Sequence, residues 1–223
     1  MNVLALDTST EYCSCALRAG GEVRQRLALA GQTHSRLLLP MVSELLAEAG
    51  LTLGQLHGIA VAVGPGSFTG VRIAAAVGQG LAFGAGLPVA AVGTLDALAW
   101  GTGAGRVLAC TDARMGEVYA AAFLRADGNL LAAAGPQVSP PGQVTRPDSS
   151  GWCGVGSGFA RHAEALAVRL EGCLSRVLPD VHPEARHVLG LALAREPAGF
   201  GAPPESLVPL YVRDKVALTV AER

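Results

Sequence analysis

The pattern of apolar and polar positions near the start of the chain predicts three successive strands. The apolar run 3–6 ends at Asp7, which is typical of a buried strand that places a carboxylate at the end of a sheet. Residues 12–19 and 22–30 also have strand character, and Gly20-Gly21 between them permits the positive φ of a hairpin turn. The pattern therefore predicts a β-β-β unit.

The following segments predict two helices and two further strands. Between residues 35 and 49 the apolar residues recur at three- and four-residue spacing, which predicts an amphipathic helix that contains Pro40. Residues 58–63 predict a buried strand, residues 71–85 a second helix rich in Ala and Gly, and residues 88–92 another strand. The apolar stripe of the first helix consists of Leu38, Leu39, Val42, Leu45, Leu46 and Ala49.

A similar order of elements begins again in the second half. The segment 106–112 predicts a strand that ends at Asp112, and two more strands, 117–124 and 130–133, flank a turn. The segment 135–150 contains four prolines and is predicted to be a loop.

The two halves therefore share one plan. Further helices are predicted near 158–170 and 183–196, and helix propensity collapses in the glycine-rich segment 101–105. The sequence predicts an α/β fold with a duplicated β-β-β unit, divided into an N-terminal lobe, 1–102, and a C-terminal lobe, 103–223.

Composition limits the classes of function. Hydrophobic residues make up 50% of the chain and charged residues 16%, so some apolar surface is expected to face a partner. The net charge of −1 gives no basic surface for holding DNA or tRNA directly. The five cysteines form no C-x-x-C pair, and their odd number argues against a disulfide framework. Without a signal-like N-terminus or a run of about 18 apolar residues, the protein is expected to be cytoplasmic and not to enter a membrane.

The loop GPGSFTG lies between a predicted strand and a predicted helix, where backbone N–H groups and the helix dipole favour an anion. It lacks the Lys-Ser/Thr pair of a Walker A loop, because Val71-Arg72 follows its last glycine. Two interpretations stay open: a vestigial phosphate site, and a tight turn capped by Ser67 or Thr69. The candidate phosphate-binding residues of the loop are Gly64, Gly66, Ser67, Thr69 and Gly70.

Two acidic strand ends complete this candidate phosphate site. Asp7, which Thr8 and Ser9 follow, and Asp112 occupy equivalent positions in the two halves, as in kinases with duplicated domains. Carboxylates in such places can hold Mg²⁺ through water. Asp7 is equally well explained as the cap of the turn that follows it. A serine hydrolase is not favoured, because the spacing around Ser67 departs from G-x-S-x-G.

Histidines and cysteines show no metal-ligand spacing. The position four residues after His34 is Leu38, so an H-x-x-x-H pair is lacking, and Cys13 and Cys15 are interpreted as core residues. We therefore expect neither a bound metal nor a cofactor.

Five segments together resemble the TsaB (YeaZ) family. They are ALDTST, THSRLLLPMVSELL, GIAVAVGPGSFTGVRIAAAVGQGLA, TDARMGEVYAAAF and PLYVRDKVA. The resemblance covers nearly the whole chain and is weakest over 135–180. It implies the two-lobed fold of the acetate and sugar kinase, Hsp70 and actin class, which agrees with the duplicated plan.

The same resemblance implies a function. Members of the family are non-catalytic relatives of TsaD, which transfers a threonylcarbamoyl group to the adenosine next to the anticodon (t6A) of tRNAs reading ANN codons. The chain is then expected to be a scaffold that binds TsaD directly and TsaE in an ATP-dependent ternary complex. It is expected to form a homodimer when alone and to meet tRNA only indirectly. The metal-binding histidine pair of TsaD corresponds to the helix 35–49, where this chain has Leu38.

The resemblance further implies that the helices 35–49 and 71–85 join TsaD in a four-helix arrangement. Ala74, Gly78 and Ala82 recur every four positions on one face of the second helix, and small residues at this spacing allow two helices to approach closely. Packing of that face on the chain's own sheet fits the periodicity equally well. The expected interface consists of Leu38, Val42, Leu45, Leu46, Val71, Ala74, Ala75, Gly78, Leu81 and Ala82.

An enzyme of the same fold is the main alternative. A small-molecule kinase or ATPase would use Asp7, Asp112 and the glycine-rich loop. A glycoprotease-like peptidase is a third hypothesis, and it lacks an assignable catalytic triad. The sequence therefore favours a non-catalytic subunit over both enzymes.

Overall fold

The computed structural model describes residues 1–213, and in them the chain forms two five-stranded sheets. The first sheet has the order β3-β2-β1-β4-β5. In it β2 runs antiparallel to both of its neighbours, β1 and β3, whereas β4 runs parallel to β1. Its strands are β1 (Val3–Asp7), β2 (Tyr12–Ala19), β3 (Glu22–Leu29), β4 (Gly58–Gly64) and β5 (Val89–Gly93). β1 and β4 are fully buried, as expected of the continuous apolar runs that form them.

The second sheet repeats this plan. Its order is β8-β7-β6-β9-β10, with β6 antiparallel to β7 and parallel to β9, as β1 is to β2 and β4. Its strands are β6 (Arg106–Arg114), β7 (Glu117–Ala126), β8 (Asn129–Ser139), β9 (Trp152–Val155) and β10 (Leu174–Leu178). The predicted duplication of a β-β-β unit is therefore confirmed.

The helices fill the faces of the two sheets. α1 and α2 pack on one face of the first sheet, whereas α3 and α6 share a single buried core with strands of both sheets. The described helices are α1 (His34–Glu48), α2 (Phe68–Ala85), α3 (Thr94–Gly101), α4 (Ser157–Arg161), α5 (Ala163–Arg169) and α6 (Ala185–Arg195). No helix within residues 1–213 has the length and apolar character needed to cross a membrane.

Several predicted bounds need correction. β8 continues to Ser139 through a segment predicted to be a loop, and proline is tolerated there because β8 is an edge strand. α2 begins at Phe68, three residues earlier than predicted, because the Ser67 side chain caps it. The sequence analysis missed α3, β9 and β10, which have eight, four and five residues.

The division into lobes 1–102 and 103–223 stays a prediction. α6 belongs to the second segment of the sequence yet packs against β1 and β2 of the first sheet. Residues 214–223, with the end of the PLYVRDKVA segment, lie outside the described residues.

Candidate functional site

A cleft of about 790 Å³ opens between the two sheets and is lined by residues from both halves of the chain. Four of the nine predicted phosphate-site residues line it, namely Ser9, Gly66, Ser67 and Asp112. Asp7 and Thr8 are buried beside it, and the remaining three, Gly64, Thr69 and Gly70, do not line it. The structure therefore brings only part of the predicted set to one cavity.

The glycine-rich loop packs directly on the turn that follows β1. The Ser67 N–H donates to the carbonyl oxygen of Ser9 over 2.7 Å, and the Thr8 hydroxyl donates to the carbonyl oxygen of Gly70 over 2.7 Å. A Cβ at Gly66 would collide with the Ser9 carbonyl oxygen, and one at Gly70 with that of Thr8. These two glycines are therefore required by the close approach of two backbones, whether or not an anion binds.

Ser67 caps the N-terminus of α2. Its hydroxyl accepts a hydrogen bond from the Gly70 N–H over 3.3 Å, which satisfies one of the free amides at the start of the helix. The interpretation of the loop as a capped strand-to-helix turn is thus confirmed for Ser67. Phosphate binding by the loop stays a prediction.

Asp7 is a buried carboxyl with only one satisfied oxygen. Its Oδ1 accepts the Ser9 N–H over 2.7 Å, and Oδ2 has no hydrogen-bond partner among the described residues. Burial raises the pKa of Asp7 above its usual range, and the groups of Ser9 oppose this shift only in part. The Ser9 hydroxyl also lies close enough to lower the pKa of Asp7, although its geometry is not that of a hydrogen bond to the Asp7 carboxyl. The Asp7 carboxyl therefore caps its own turn, as the alternative interpretation predicted.

Asp112 is held by neighbours that the sequence analysis did not connect with it. Its Oδ1 lies 3.5 Å from His162 Nε2 and accepts the Arg114 N–H over 3.0 Å, and its own N–H donates to the Ser157 hydroxyl over 3.1 Å. β6 does not end at Asp112 but continues to Arg114 after an irregularity in register. His162 and Ser157 lie about fifty residues away in sequence, so no local pattern could have indicated them.

The C-terminal segment, residues 200–213, crosses from the first sheet to the second and was not identified as part of the site. The Leu210 N–H donates to the Val63 carbonyl oxygen over 2.7 Å at the end of β4. The Arg213 guanidinium donates to the Ala113 carbonyl oxygen over 3.1 Å and pairs with Glu117 of the second sheet. Residues 210–213 line the cleft, so this segment forms one of its walls.

The predicted partner face of α2 packs inside the chain, which corrects the expected interface at these positions. A Cβ on Gly78 would lie 2.6 Å from Val61 Cγ2, and Ala74 and Ala82 are fully buried. A side chain covered by its own sheet offers no surface to a partner. Of the ten residues assigned to the interface, eight are buried within the chain: Leu38, Val42, Leu45, Val71, Ala74, Ala75, Gly78 and Ala82. Leu46 and Leu81 are half-buried against the same core.

A second stripe of small residues lies on the opposite, exposed face of α2. Ala76, Gly80 and Gly84 recur every four positions, and a Cβ on Gly80 or Gly84 would meet nothing within 4 Å. Phe83 beside them is 62% exposed, and Leu39 on the neighbouring α1 is 46% exposed. We call these five residues the outer helix face.

Metal and thiol chemistry finds no support among the described residues. No group of three or more His, Cys, Asp or Glu side chains within residues 1–213 is placed to hold a metal ion. All five cysteines are buried and free. Burial raises the pKa of Cys13 to about 11 and those of Cys15 and Cys110 to about 12, so these thiols stay protonated at neutral pH.

The duplicated sheets, with a cleft between them, define a protein of the acetate and sugar kinase, Hsp70 and actin fold class. The chain belongs to the TsaB (YeaZ) family. It is 36% identical over 225 residues to the Escherichia coli tRNA threonylcarbamoyladenosine biosynthesis protein TsaB, covering 97% of this chain and 96% of that protein. The Haemophilus influenzae TsaB is 36% identical over 230 residues, 97% of this chain and 95% of that protein. Residues 28–171 also match the family model described as TsaD, tRNA N6-adenosine threonylcarbamoyltransferase.

Solved structures agree with this assignment. YeaZ from Pseudomonas aeruginosa superposes with a TM-score of 0.86 at 40% identity, covering 94% of this chain and 99% of that one. A second structure, an uncharacterized protein with similarity to peptidase YeaZ from Pseudomonas aeruginosa, gives 0.87 at 39% identity over 95% and 99%. The predicted fold and family are therefore both confirmed.

Proposed function

We propose that the protein is a non-catalytic scaffold subunit in the formation of t6A in tRNA, acting by binding TsaD and TsaE. Two relatives that cover 97% of this chain are named as tRNA threonylcarbamoyladenosine biosynthesis proteins. In this proposal TsaD carries out the transfer, tRNA meets the chain only indirectly, and the complex works in the cytoplasm.

The outer helix face is the observation that supports a direct partner most strongly. Glycine inside a helix costs about 1 kcal/mol relative to alanine. A Cβ at Gly80 or Gly84 would meet nothing within 4 Å, so packing inside the chain does not require glycine at these positions. Small residues at four-residue spacing allow another helix to approach closely. Phe83, exposed beside them, supplies the large aromatic side chain that protein interfaces favour.

The kinship with TsaD indicates how the two subunits would meet. Residues 28–171 of this chain match the TsaD family model, and this range includes both α1 and α2. Subunits that share a fold can pair through equivalent surfaces about an approximate two-fold axis. Two helices from each subunit would then form the contact, and a second copy of this chain would compete with TsaD for the same face.

The test is a substitution on the outer helix face that spares the chain's own core. Gly80→Leu adds a side chain in open space, so it should leave the melting temperature unchanged or higher. Affinity for TsaD, measured by calorimetry, should fall at least tenfold, and t6A formation by the reconstituted complex should fall with it. Val168→Leu, an exposed position on α5, is the matched control and should change neither the affinity for TsaD nor t6A formation.

Undiminished affinity of Gly80→Leu for TsaD would contradict the proposed interface. Turnover of ATP or peptide by the isolated chain would contradict the non-catalytic role.

A further inference from the structure

Arg72, near the start of α2, is packed against two aromatic rings on the outside of the molecule. Its guanidinium carbon lies 3.3 Å from the centroid of the Phe68 ring and 5.0 Å from that of Tyr211, which belongs to the C-terminal segment. Its Nη1 donates to the Phe68 carbonyl oxygen over 2.8 Å, one turn earlier in the same helix. The rings and the hydrogen bond together fix the direction of this side chain. We call Phe68, Arg72 and Tyr211 the Arg72 cluster.

The positive charge of Arg72 is not neutralised within residues 1–213. No acidic side chain in that range forms an ion pair with it, whereas Arg114 and Arg213 pair with Asp112 and Glu117. The first turn of α2 also carries no acidic residue. A guanidinium group that is held in place binds a carboxylate through two parallel hydrogen bonds and loses little side-chain entropy in doing so. The unneutralised charge therefore favours an acidic group on a partner.

The surface around this charge is apolar. Phe68 and Tyr211 are 55% and 53% exposed, and Val208 and Leu210 of the C-terminal segment are exposed as well. Aromatic residues and arginine are enriched in protein interfaces, where they carry much of the binding energy. An RNA backbone is instead held by several cations at once. One cation among exposed apolar side chains thus suits a carboxylate on a protein better than a row of phosphates.

The Arg72 cluster continues the outer helix face along α2. Arg72 and Gly80 are eight residues apart, which is about 12 Å of helix. An interface of ordinary size, about 800 Å² on each partner, extends further than this. A subunit that covers the outer helix face can therefore reach the cluster as well. At four-residue spacing the exposed ridge of α2 consists of Phe68, Arg72, Ala76, Gly80 and Gly84.

The C-terminal segment runs beside this ridge and brings Tyr211 to it. The Gln79 side-chain amide donates to the Leu207 carbonyl oxygen over 3.1 Å, and Leu207 is itself buried. Further along, the Leu210 N–H bonds to the end of β4, which holds the backbone just before Tyr211. The ring that supports Arg72 is therefore placed by a segment about 140 residues away in sequence.

We propose that the Arg72 cluster is a charged anchor of the contact with TsaD, in which a carboxylate of TsaD pairs with Arg72 and apolar side chains around that carboxylate pack on Phe68 and Tyr211. This inference rests on the proposed function, because it takes TsaD as the subunit that covers the outer helix face. It adds the C-terminal segment to the contact. It also assigns Arg72 a role in specificity, since a partner without an acidic group at this point would leave a buried charge unpaired.

The test measures the affinity of the full-length chain for TsaD by calorimetry at about 0.05 M and about 0.5 M salt, because salt screens a charge pair. Arg72→Met removes the charge and keeps a long unbranched side chain. It should lower the affinity at low salt at least about tenfold and make the remaining affinity less sensitive to salt. Arg72→Lys keeps the charge without the planar fork, so it should keep the salt sensitivity and lose only part of the affinity.

Tyr211→Leu tests the contribution of the C-terminal segment. It removes the ring and keeps the charge of Arg72, so the affinity should fall about three- to tenfold while its sensitivity to salt is retained. The melting temperature of the isolated chain should fall by no more than about 2–4 °C in each of the three variants, as expected for the loss of one exposed cation–aromatic contact. A purely structural role would lower the melting temperature and leave the affinity of the folded chain unchanged.

Arg146→Met is the matched control. Arg146 is exposed in the second half of the chain and, like Arg72, donates to a backbone carbonyl oxygen, that of Glu171 over 2.6 Å. Its substitution should alter neither the affinity for TsaD nor the sensitivity of that affinity to salt.

Gly80→Leu, measured alongside, separates this inference from the proposed function. If Gly80→Leu weakens TsaD binding and Arg72→Met does not, the scaffold role stands and the Arg72 anchor is overturned. If neither substitution weakens binding, the proposed interface and the anchor both fail. Salt sensitivity that is equal in Arg72→Met and the unsubstituted chain would overturn the carboxylate pairing. Binding of tRNA by the isolated chain that is lost in Arg72→Met would assign the cluster to RNA and overturn the anchor too.

Discussion

At the scale of single residues, Asp7 shows how a carboxyl can be explained without catalysis. Its Oδ1 caps the turn at Ser9 and its Oδ2 is buried without a partner. Because burial raises its pKa, the folded state binds a proton more readily than the unfolded state does. Ionisation therefore destabilises the fold at any pH above the folded pKa, and this cost disappears as the pH falls towards the unfolded value.

Asp7→Asn should consequently stabilise the protein at neutral pH. The amide oxygen can still accept the Ser9 N–H, while the buried charge is removed. We expect a gain of about 1–2 kcal/mol, or roughly 2–8 °C in melting temperature for a chain of this size. The gain should shrink as the pH is lowered, and Asp180→Asn, an exposed position, should show no such trend. A melting temperature that falls at pH 8 would mean that the charge of Asp7 is needed for its cap.

At the scale of elements, α2 carries two stripes of small residues with opposite roles. Gly78 faces β4, where an added Cβ would lie 2.6 Å from Val61 Cγ2, whereas an added Cβ at Gly80 meets nothing within 4 Å. Gly78→Ala should therefore lower the free energy of unfolding by about 1–3 kcal/mol through overpacking, and the melting temperature with it. Gly80→Ala should raise the free energy of unfolding by up to about 1 kcal/mol, because alanine is the better helix former. Thermal unfolding of the two variants side by side measures this, and equal shifts would show that the two stripes are not distinguished by packing.

Some of these elements could be predicted from the sequence and others could not. The long apolar runs at β1 and β4 and the clear periodicity of α1 were sufficient to predict these elements. Periodicity alone did not separate the two faces of α2, because small residues recur every four positions on both. β9 and β10 were missed since short strands in the middle of loops give too little alternation to detect.

At the scale of the whole molecule, the cleft joins residues that are remote in sequence. The duplicated order of strands predicted that Asp7 and Asp112 occupy equivalent positions, and the two five-stranded sheets share that order. The partners of Asp112 and the path of residues 200–213 depend on tertiary packing and leave no local pattern. For this reason the wall of the cleft formed by the C-terminal segment was beyond sequence analysis.

Arg213 links the C-terminal segment to the second sheet, through Ala113 and Glu117. The same segment is held on the first sheet by the hydrogen bond from Leu210 to Val63. Arg213 supports the β6–β7 turn, where Arg114, Met115 and Gly116 all have positive φ, a backbone conformation that is costly for the first two.

Arg213→Ala should lower the free energy of unfolding by at most about 1 kcal/mol, since the ion pair is partly exposed. Amide hydrogen exchange in residues 113–117 should nevertheless become faster, while exchange in β1 and β4 stays unchanged. Leu207→Ala, a buried position of the same segment, should instead destabilise the fold by about 2–5 kcal/mol. Unchanged exchange in residues 113–117 of Arg213→Ala would show that the turn keeps its conformation without this contact.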